Sequence, residues 1–305
     1  MIYTITIIPA IDYVVHLDEF RSGMTNRSSG EEYFLGGKGI NVSQILKELG
    51  MKSVALGFTN GFTGQALENG LHDRGIETDF IYPRQGITQG ITRINVKIKA
   101  GEETEINGQG TIADEDDLKM LAEKLQKLES GDVLIVSGNI PSAIPQDTYS
   151  RLLETVKDKD IRIIVDTNGE ALMDVLKFHP FLIKPNIDEL RDIFGEAITA
   201  EDGAAMLQAA GARNVIVSMG KDGALLMAED GRLYRAGVCS GKMLNSVGAG
   251  DSMVAGFVAG YMEKNDYQYA LDLGSAAGSA TAFSPGLAKR QKIDECMSEL
   301  RAKAV

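Results

Sequence analysis

The chain has 305 residues, 44% of them hydrophobic, with 34 glycines and 7 prolines, which is enough apolar material for a large core. Acidic residues outnumber basic ones 43 to 31, and the resulting formal charge of −12 argues against nucleic acid or an anionic membrane as partner. The two cysteines, Cys239 and Cys296, form no CxxC and no Cys/His cluster, which argues against a disulfide framework or a structural zinc site and for a reducing compartment.

At the amino terminus Met1-Ile2-Tyr3-Thr4 lacks the basic segment of a signal peptide, and no run approaches the roughly 18 apolar residues of a membrane span. A cytoplasmic chain is expected. Residues 11–35 offer short β-like pieces around a polar Ser/Asn/Gly stretch. The segment 39–49 predicts a helix, with Ile40, Ile45, Leu46 and Leu49 at helical spacing and a stop at Gly50. A buried strand follows over 53–58. From Thr92 to Lys99 the pattern alternates, Ile94, Val96 and Ile98 against Arg93, Asn95, Lys97 and Lys99, with Ile91 out of phase. A strand with one apolar and one cationic face suits a small sheet standing over a site. An edge strand whose lysines oppose aggregation would read the same way. Beyond it, strands over 132–136, 161–166, 181–183 and Asn214–Ser218 alternate with helices over 114–129, 146–156, Ile187–Phe194 and 251–262. That alternation predicts a mostly parallel sheet covered on both faces, with ligands beyond the carboxyl ends of its strands. No repeat, low-complexity tract or Pro/Ser-rich linker interrupts it. Residues 1–305 therefore read as a single domain, with a β lid from segments about 11–35 and 88–108.

Four segments can carry chemistry. Asn245-Ser246-Val247-Gly248-Ala249-Gly250-Asp251-Ser252 opens a helix. Its small residues allow a sharp turn with exposed N–H groups, and the positive end of the helix dipole adds to them, as an anion requires. Asp251 is the one titratable side chain there. It can accept a proton from an alcohol, or serve as an ordinary helix cap. Gly36-Gly37-Lys38-Gly39-Ile40-Asn41 also opens a helix. Lys38 and Asn41 can donate to hydroxyls or phosphate, while the alternative is a turn with a solvated lysine. Lys184-Pro185-Asn186-Ile187-Asp188-Glu189 follows a short strand, and Asn186 with Glu189 has capping-box spacing. Ser218-Met219-Gly220-Lys221-Asp222-Gly223 suits a turn around a nucleotide or a plain hairpin loop. A P-loop is absent, and both Gly-x-Gly pairs lack the third small residue of a dinucleotide fingerprint, having Val42 and Met253 instead. His16, His72 and His179 show no ligand spacing.

Together the di-glycine segment 36–41 and the Gly-Ala-Gly-Asp segment 248–251, in this order and at this separation, resemble the PfkB or ribokinase-like family of carbohydrate kinases over the whole chain. Thr92-Arg93-Ile94-Asn95-Val96-Lys97 and the following 101–110 are similar to the lid of its 1-phosphofructokinase branch. The resemblance implies a three-layer α/β/α sandwich with a β lid that often forms a homodimer interface. It implies ATP, Mg²⁺ and a phosphosugar as ligands. Asp251 would be the base, with the backbone of Gly248, Ala249 and Gly250 as anion hole. Asp12, Gly37, Lys38, Asn41, Arg93, Ser137 and Gly138 would hold the sugar phosphate. Lys184, Asn186, Ser218, Gly220, Gly223 and Gly250 would face the nucleotide, and Glu189 the metal. Two departures from the family pattern stand near the sugar: Ile8 replaces an Asn before Pro9, and residues 137–142 read Ser-Gly-Asn-Ile-Pro-Ser.

The reaction so implied is phosphorylation of D-fructose 1-phosphate to the 1,6-bisphosphate. Tagatose-6-phosphate kinase is an alternative, because a ketohexofuranose bears a hydroxymethyl arm at each end. A non-catalytic phosphosugar sensor and, more remotely, a dinucleotide-dependent oxidoreductase are rivals of other classes.

Overall fold

A computed structural model describes residues 1–83 and 90–303. The strands are, in chain order, β1 (Ile2–Thr6), β2 (Ala10–His16), β3 (Gly30–Gly36), β4 (Ser53–Gly57), β5 (Glu77–Thr78), β6 (Arg93–Ala100), β7 (Glu102–Asn107), β8 (Val133–Ser137), β9 (Arg162–Asp166), β10 (Leu182–Ile183), β11 (Asn214–Ser218), β12 (Ala224–Met227) and β13 (Leu233–Ala236). The helices are α1 (Lys38–Glu48), α2 (Gly61–Asp73), α3 (Glu115–Leu125), α4 (Thr148–Glu154), α5 (Gly169–Val175), α6 (Ile187–Phe194), α7 (Ala200–Ala209), α8 (Ala249–Lys264), α9 (Tyr267–Ala282) and α10 (Arg290–Lys303).

Nine strands form the main sheet in the order β13-β12-β11-β10-β9-β8-β1-β4-β5, parallel from β11 to β5 and antiparallel at the β11-β12-β13 edge. Alternation along β8 divides the core. Leu134 and Val136 pack with α3 to α7, whereas Val133 and Ile135 pack with α1, α8, α9 and α10. Helices cover both faces, as the unbroken apolar runs of the strands demand. The result is the expected three-layer sandwich. No helix among the described residues is long and apolar enough to cross a membrane.

α8 is buried on every side from Asp251 to Gly260. Its Ala/Gly surface meets α9 rather than the sheet, because a Cβ on Gly256 would stand 2.6 Å from the Leu273 carbonyl oxygen. Phe257 lies fully buried in this layer, a placement worth roughly 1.5–3 kcal/mol of transfer free energy. Asp251 is thus carried at the start of a helix that is packed on all sides.

The second sheet, β3-β2-β6-β7, pairs β2 with β6 in parallel and leaves β7 as an exposed edge. This second sheet is built from the two segments read as a lid, although positions 88 and 89 of the segment 88–108 lie outside the described residues. β6 begins at Arg93, so Ile91 precedes the strand, which explains its broken phase.

Candidate active site

A cavity of about 470 Å³ opens where β9, β10 and β11 end. Lid and body both line it, Arg93, Asn95 and Asn107 from above, Gly37, Lys38, Asn41, Asp166, Lys184, Glu189 and Asp251 from below. A second cavity of about 700 Å³ adjoins it toward the far end of the lid and shares Asp12, Asn41, Lys97 and Val247 with it.

α8 starts two residues before the predicted position. Its N-cap is Gly248, at φ +81°, and no side chain caps it. Asp251 therefore sits in the first helical turn, and the capping alternative is removed. Its Oδ2 instead accepts a 2.8 Å hydrogen bond from Asn41 Nδ2, across 210 residues of chain. Asp251 is 5% exposed. Burial, and then the charge of Asp166, push its carboxyl up to about 6, against the pull of Asn41, Lys38 and Lys184. A carboxylate held near that value is ionised at neutral pH yet still basic enough to take a proton. Beside it, Ala249 N donates to the Ser246 carbonyl at 3.3 Å. Gly250 and Asp251 occupy the next two positions, where a helix offers N–H groups with no intrahelical acceptor. Gly250 leaves room here for Lys184, since a Cβ would stand 3.2 Å from its Nζ.

Sequence reasoning missed Asp166. It closes β9, is 3% exposed, and stands 3.2 Å from Lys184 Nζ and 3.6 Å from Lys38 Nζ. Burial raises its carboxyl, but Lys184 and Lys38 more than reverse this and hold it below the usual range. Burial works against the Lys184 ammonium, and Asp166, Glu189 and Asp251 overcome it, leaving that group raised. Lys184 stays charged above the helix mouth, where a phosphoryl group would pass, and Lys38 reaches the same carboxylate from the other side of the cleft. A lone Asp at the end of an apolar strand carries no motif. Only its register opposite Ser137 could have drawn attention to it.

Asn95 was also passed over. Its Nδ2 donates to Asp12 Oδ1 at 2.8 Å, joining two lid strands in register. Its Oδ1 finds no hydrogen-bond partner, and neither do Arg93 Nε, Ser137 Oγ and Thr167 Oγ1, all buried. Four orphaned polar atoms in the cleft or at the strand ends beneath it mark a place built for a polar ligand. Burial lowers the Arg93 guanidinium, partly offset by Asp12. It remains a cation with a fork suited to phosphate.

The capping box at α6 is real, with Asn186 Oδ1 accepting from Glu189 N and Glu189 Oε2 accepting from Asn186 N, both at 2.8 Å. Both residues also line the cavity, so capping and ligand contact are compatible. Ser218 lies there too, bridged to Asn186. Gly220 and Gly223 belong to the hairpin between β11 and β12 and are not among the lining residues, nor are Ser137, Gly138 and Ala249. Ser137 and Gly138 sit just beneath it, where Gly138 N donates to the Asp166 carbonyl at 3.0 Å. Among the described residues no cluster of three His, Cys, Asp or Glu could hold a metal by itself. The single Glu189 carboxylate fits Mg²⁺, which commonly takes one or two carboxylates and completes its shell with water and substrate phosphate.

Residues 1–293 match the model of the pfkB family of carbohydrate kinases. The chain is 45% identical over 305 residues to the 1-phosphofructokinase of Bacillus subtilis (strain 168), with 99% of each chain covered. It is 38% identical to the D-tagatose-1-phosphate kinase of Bacillus licheniformis, again over 99% of both. Phosphofructokinase-2 of Escherichia coli, solved in complex with fructose-6-phosphate, superposes with a TM-score of 0.88 at 27% identity, over 98% of this chain and 99% of that one. With its sandwich, its lid and Asp251 at the mouth of α8, the chain belongs to the pfkB family of carbohydrate kinases.

Proposed function

We propose that this chain transfers the γ-phosphoryl group of ATP to the C6 hydroxyl of D-fructose 1-phosphate. The observation that carries the reading is Asp251, a buried carboxylate beside unsatisfied helix N–H groups, facing lid residues across a cavity lined by Lys38, Lys184 and Arg93. The likeness to the Bacillus subtilis enzyme supports the choice of substrate. Asp12, Asn95, Gly37, Lys38 and Asn41 would hold the sugar. Arg93, with Ser137 and Gly138 beneath, would take its phosphate. Asp251 accepts the hydroxyl proton as that oxygen attacks, and the Gly250 and Asp251 amides with Lys184 stabilise the charge on the group in transfer. Lys184, Asn186, Ser218 and Gly250 would line the nucleotide's path, with the Gly220–Asp222 turn and Gly223 farther out. Glu189 would hold Mg²⁺ with the ATP phosphates, and the ion supplies neutralisation of their charge. A seated lid excludes water, which would otherwise compete as acceptor.

An enzyme of this reaction would work in the cytoplasm, where ATP and sugar phosphates are. The outer face of the lid carries Tyr33, Tyr13, Val96 and Ile106 in one cross-strand row, with Tyr33 64% and Ile106 58% exposed. A second copy packing on that row would form a homodimer.

Measuring ADP release with fructose 1-phosphate, fructose 6-phosphate, tagatose 1-phosphate and tagatose 6-phosphate tests the substrate. Fructose 1-phosphate should give the highest kcat/KM. Preference for a 6-phosphate would reverse the sugar in the site, and no turnover with any of the four, despite binding, would leave a sensor.

A further inference from the structure

The lid does not merely cover the cleft; it leans on the segment that backs the helix mouth. Phe34, on β3, turns toward the body, and its ring lies against Gly286 in the connection between α9 and α10. A Cβ on Gly286 would stand 2.8 Å from Phe34 Cε1. The next residue, Leu287, presses on the turn itself, since a Cβ on Gly248 would stand 2.6 Å from Leu287 Cδ2. Gly248, at φ +81°, has the backbone that a side chain rarely adopts, and the leucine occupies the space a side chain would need.

Hydrogen bonds bind the same connection to the same turn. Asn245 Nδ2 donates to the Pro285 carbonyl at 3.3 Å, while Asn245 Oδ1 accepts from Val247 N at 2.9 Å. Ala288 N donates to Thr281 Oγ1 at 3.2 Å, and that hydroxyl is 2.8 Å from Ser252 Oγ. Ser252 Oγ donates in turn to the Gly248 carbonyl at 2.7 Å. Ser252 is fully buried. Packing and hydrogen bonds thus tie the connection to the turn, and the lid touches that connection through an aromatic ring.

We propose that Phe34, Gly286 and Leu287 are positioning residues: the seat of the lid, transmitted through the connection to Gly248, sets the aim of the Gly250 and Asp251 amides. This rests on the reading that residues 248–251 receive the transferring phosphoryl group. Its consequence is a safeguard. With no sugar phosphate holding the lid, Phe34 is not pressed home, the donors are misaligned, and ATP is not spent on water. A displacement near 1 Å is enough, because misplacement of that size costs on the order of a hundredfold in rate.

Phe34→Ala, Leu287→Ala, the double variant and Asp251→Asn should be compared by ADP release, with and without fructose 1-phosphate, alongside thermal melts. Each single truncation should lower kcat roughly tenfold to a hundredfold and leave the KM for ATP within about threefold. The double variant should be no worse than the worse single, because both break one relay. Phe34→Leu should recover most of the loss. If Phe34→Ala does not fold, Gly286→Ala, which forces the ring away from the connection, gives the same readout. Wild-type kcat in a folded Phe34 or Gly286 variant, or losses that multiply in the double, would overturn the relay. Normal turnover in Asp251→Asn would instead overturn the reading beneath it.

Discussion

Replacing Asp251 with Asn should make the protein more stable at the pH where the enzyme works. The carboxyl lies about 2 pKa units above its ordinary 3.8, at about 6, with burial as the first cause. One unit corresponds to about 1.4 kcal/mol, so the fold bears about 3 kcal/mol of cost for keeping this group ionised. Asn has the same shape, can still accept the hydrogen bond from Asn41, and carries no charge. The sign follows from linkage. A raised carboxyl favours the folded state only where it is protonated, so the wild type loses stability as pH climbs from about 4 to 6, while the Asp251→Asn variant does not. The variant's advantage should be absent below about pH 4 and complete above about pH 7. For a chain of this length it corresponds to roughly 5 °C in Tm. Urea titrations and thermal melts of ligand-free protein between pH 4 and 8 measure it directly. If Asp251→Asn melted at or below the wild-type temperature at pH 8, the carboxylate would not sit in a disfavouring environment, and its tuning as a base would be refuted. Such a gain alongside lost activity is the expected signature of a site under functional constraint.

Three further outcomes follow from the same geometry. kcat/KM should fall about tenfold per unit as pH drops below about 6, because only the ionised Asp251 can accept a proton; a flat profile down to pH 5 would remove that role. Asp166→Asn leaves Lys184 and Lys38 without their shared counter-charge and should cost about 3–5 kcal/mol of stability by urea titration, together with most of the turnover; a change below about 1 kcal/mol would show that the lysines do not depend on it. Tyr33→Glu puts a charge into the outer row of the lid and should shift sedimentation from dimer to monomer; a wild-type profile that is already monomeric would remove the lid interface.

The body of the fold was legible in the sequence because buried parallel strands are short apolar runs, and those predicted at 53–58, 132–136, 161–166, 181–183 and Asn214–Ser218 match β4, β8, β9, β10 and β11. α2 and α7 were not singled out, since their many glycines and alanines blur the apolar stripe that a periodicity search needs. The glycine-led segments that open α1 and α8 could be found because phosphate sites need small residues in consecutive positions. What the sequence could not supply was distance. That Asn41 bonds Asp251, and that Asp166 joins Lys38 to Lys184, depend on chain segments brought together by the sheet. Phe34, an aromatic on a half-buried strand, has no sequence signal to separate it from ordinary packing; only the place of Gly286 beneath its ring does so.

The most direct test is turnover in Asp251→Ala with MgATP and saturating fructose 1-phosphate, with ATP binding measured alongside. Removal of a general base costs about a hundredfold to ten-thousandfold, so ADP release should collapse by at least that much while ATP still binds. Turnover within a few-fold of wild type would mean that the sugar hydroxyl meets some other group, and that this carboxylate does not take its proton.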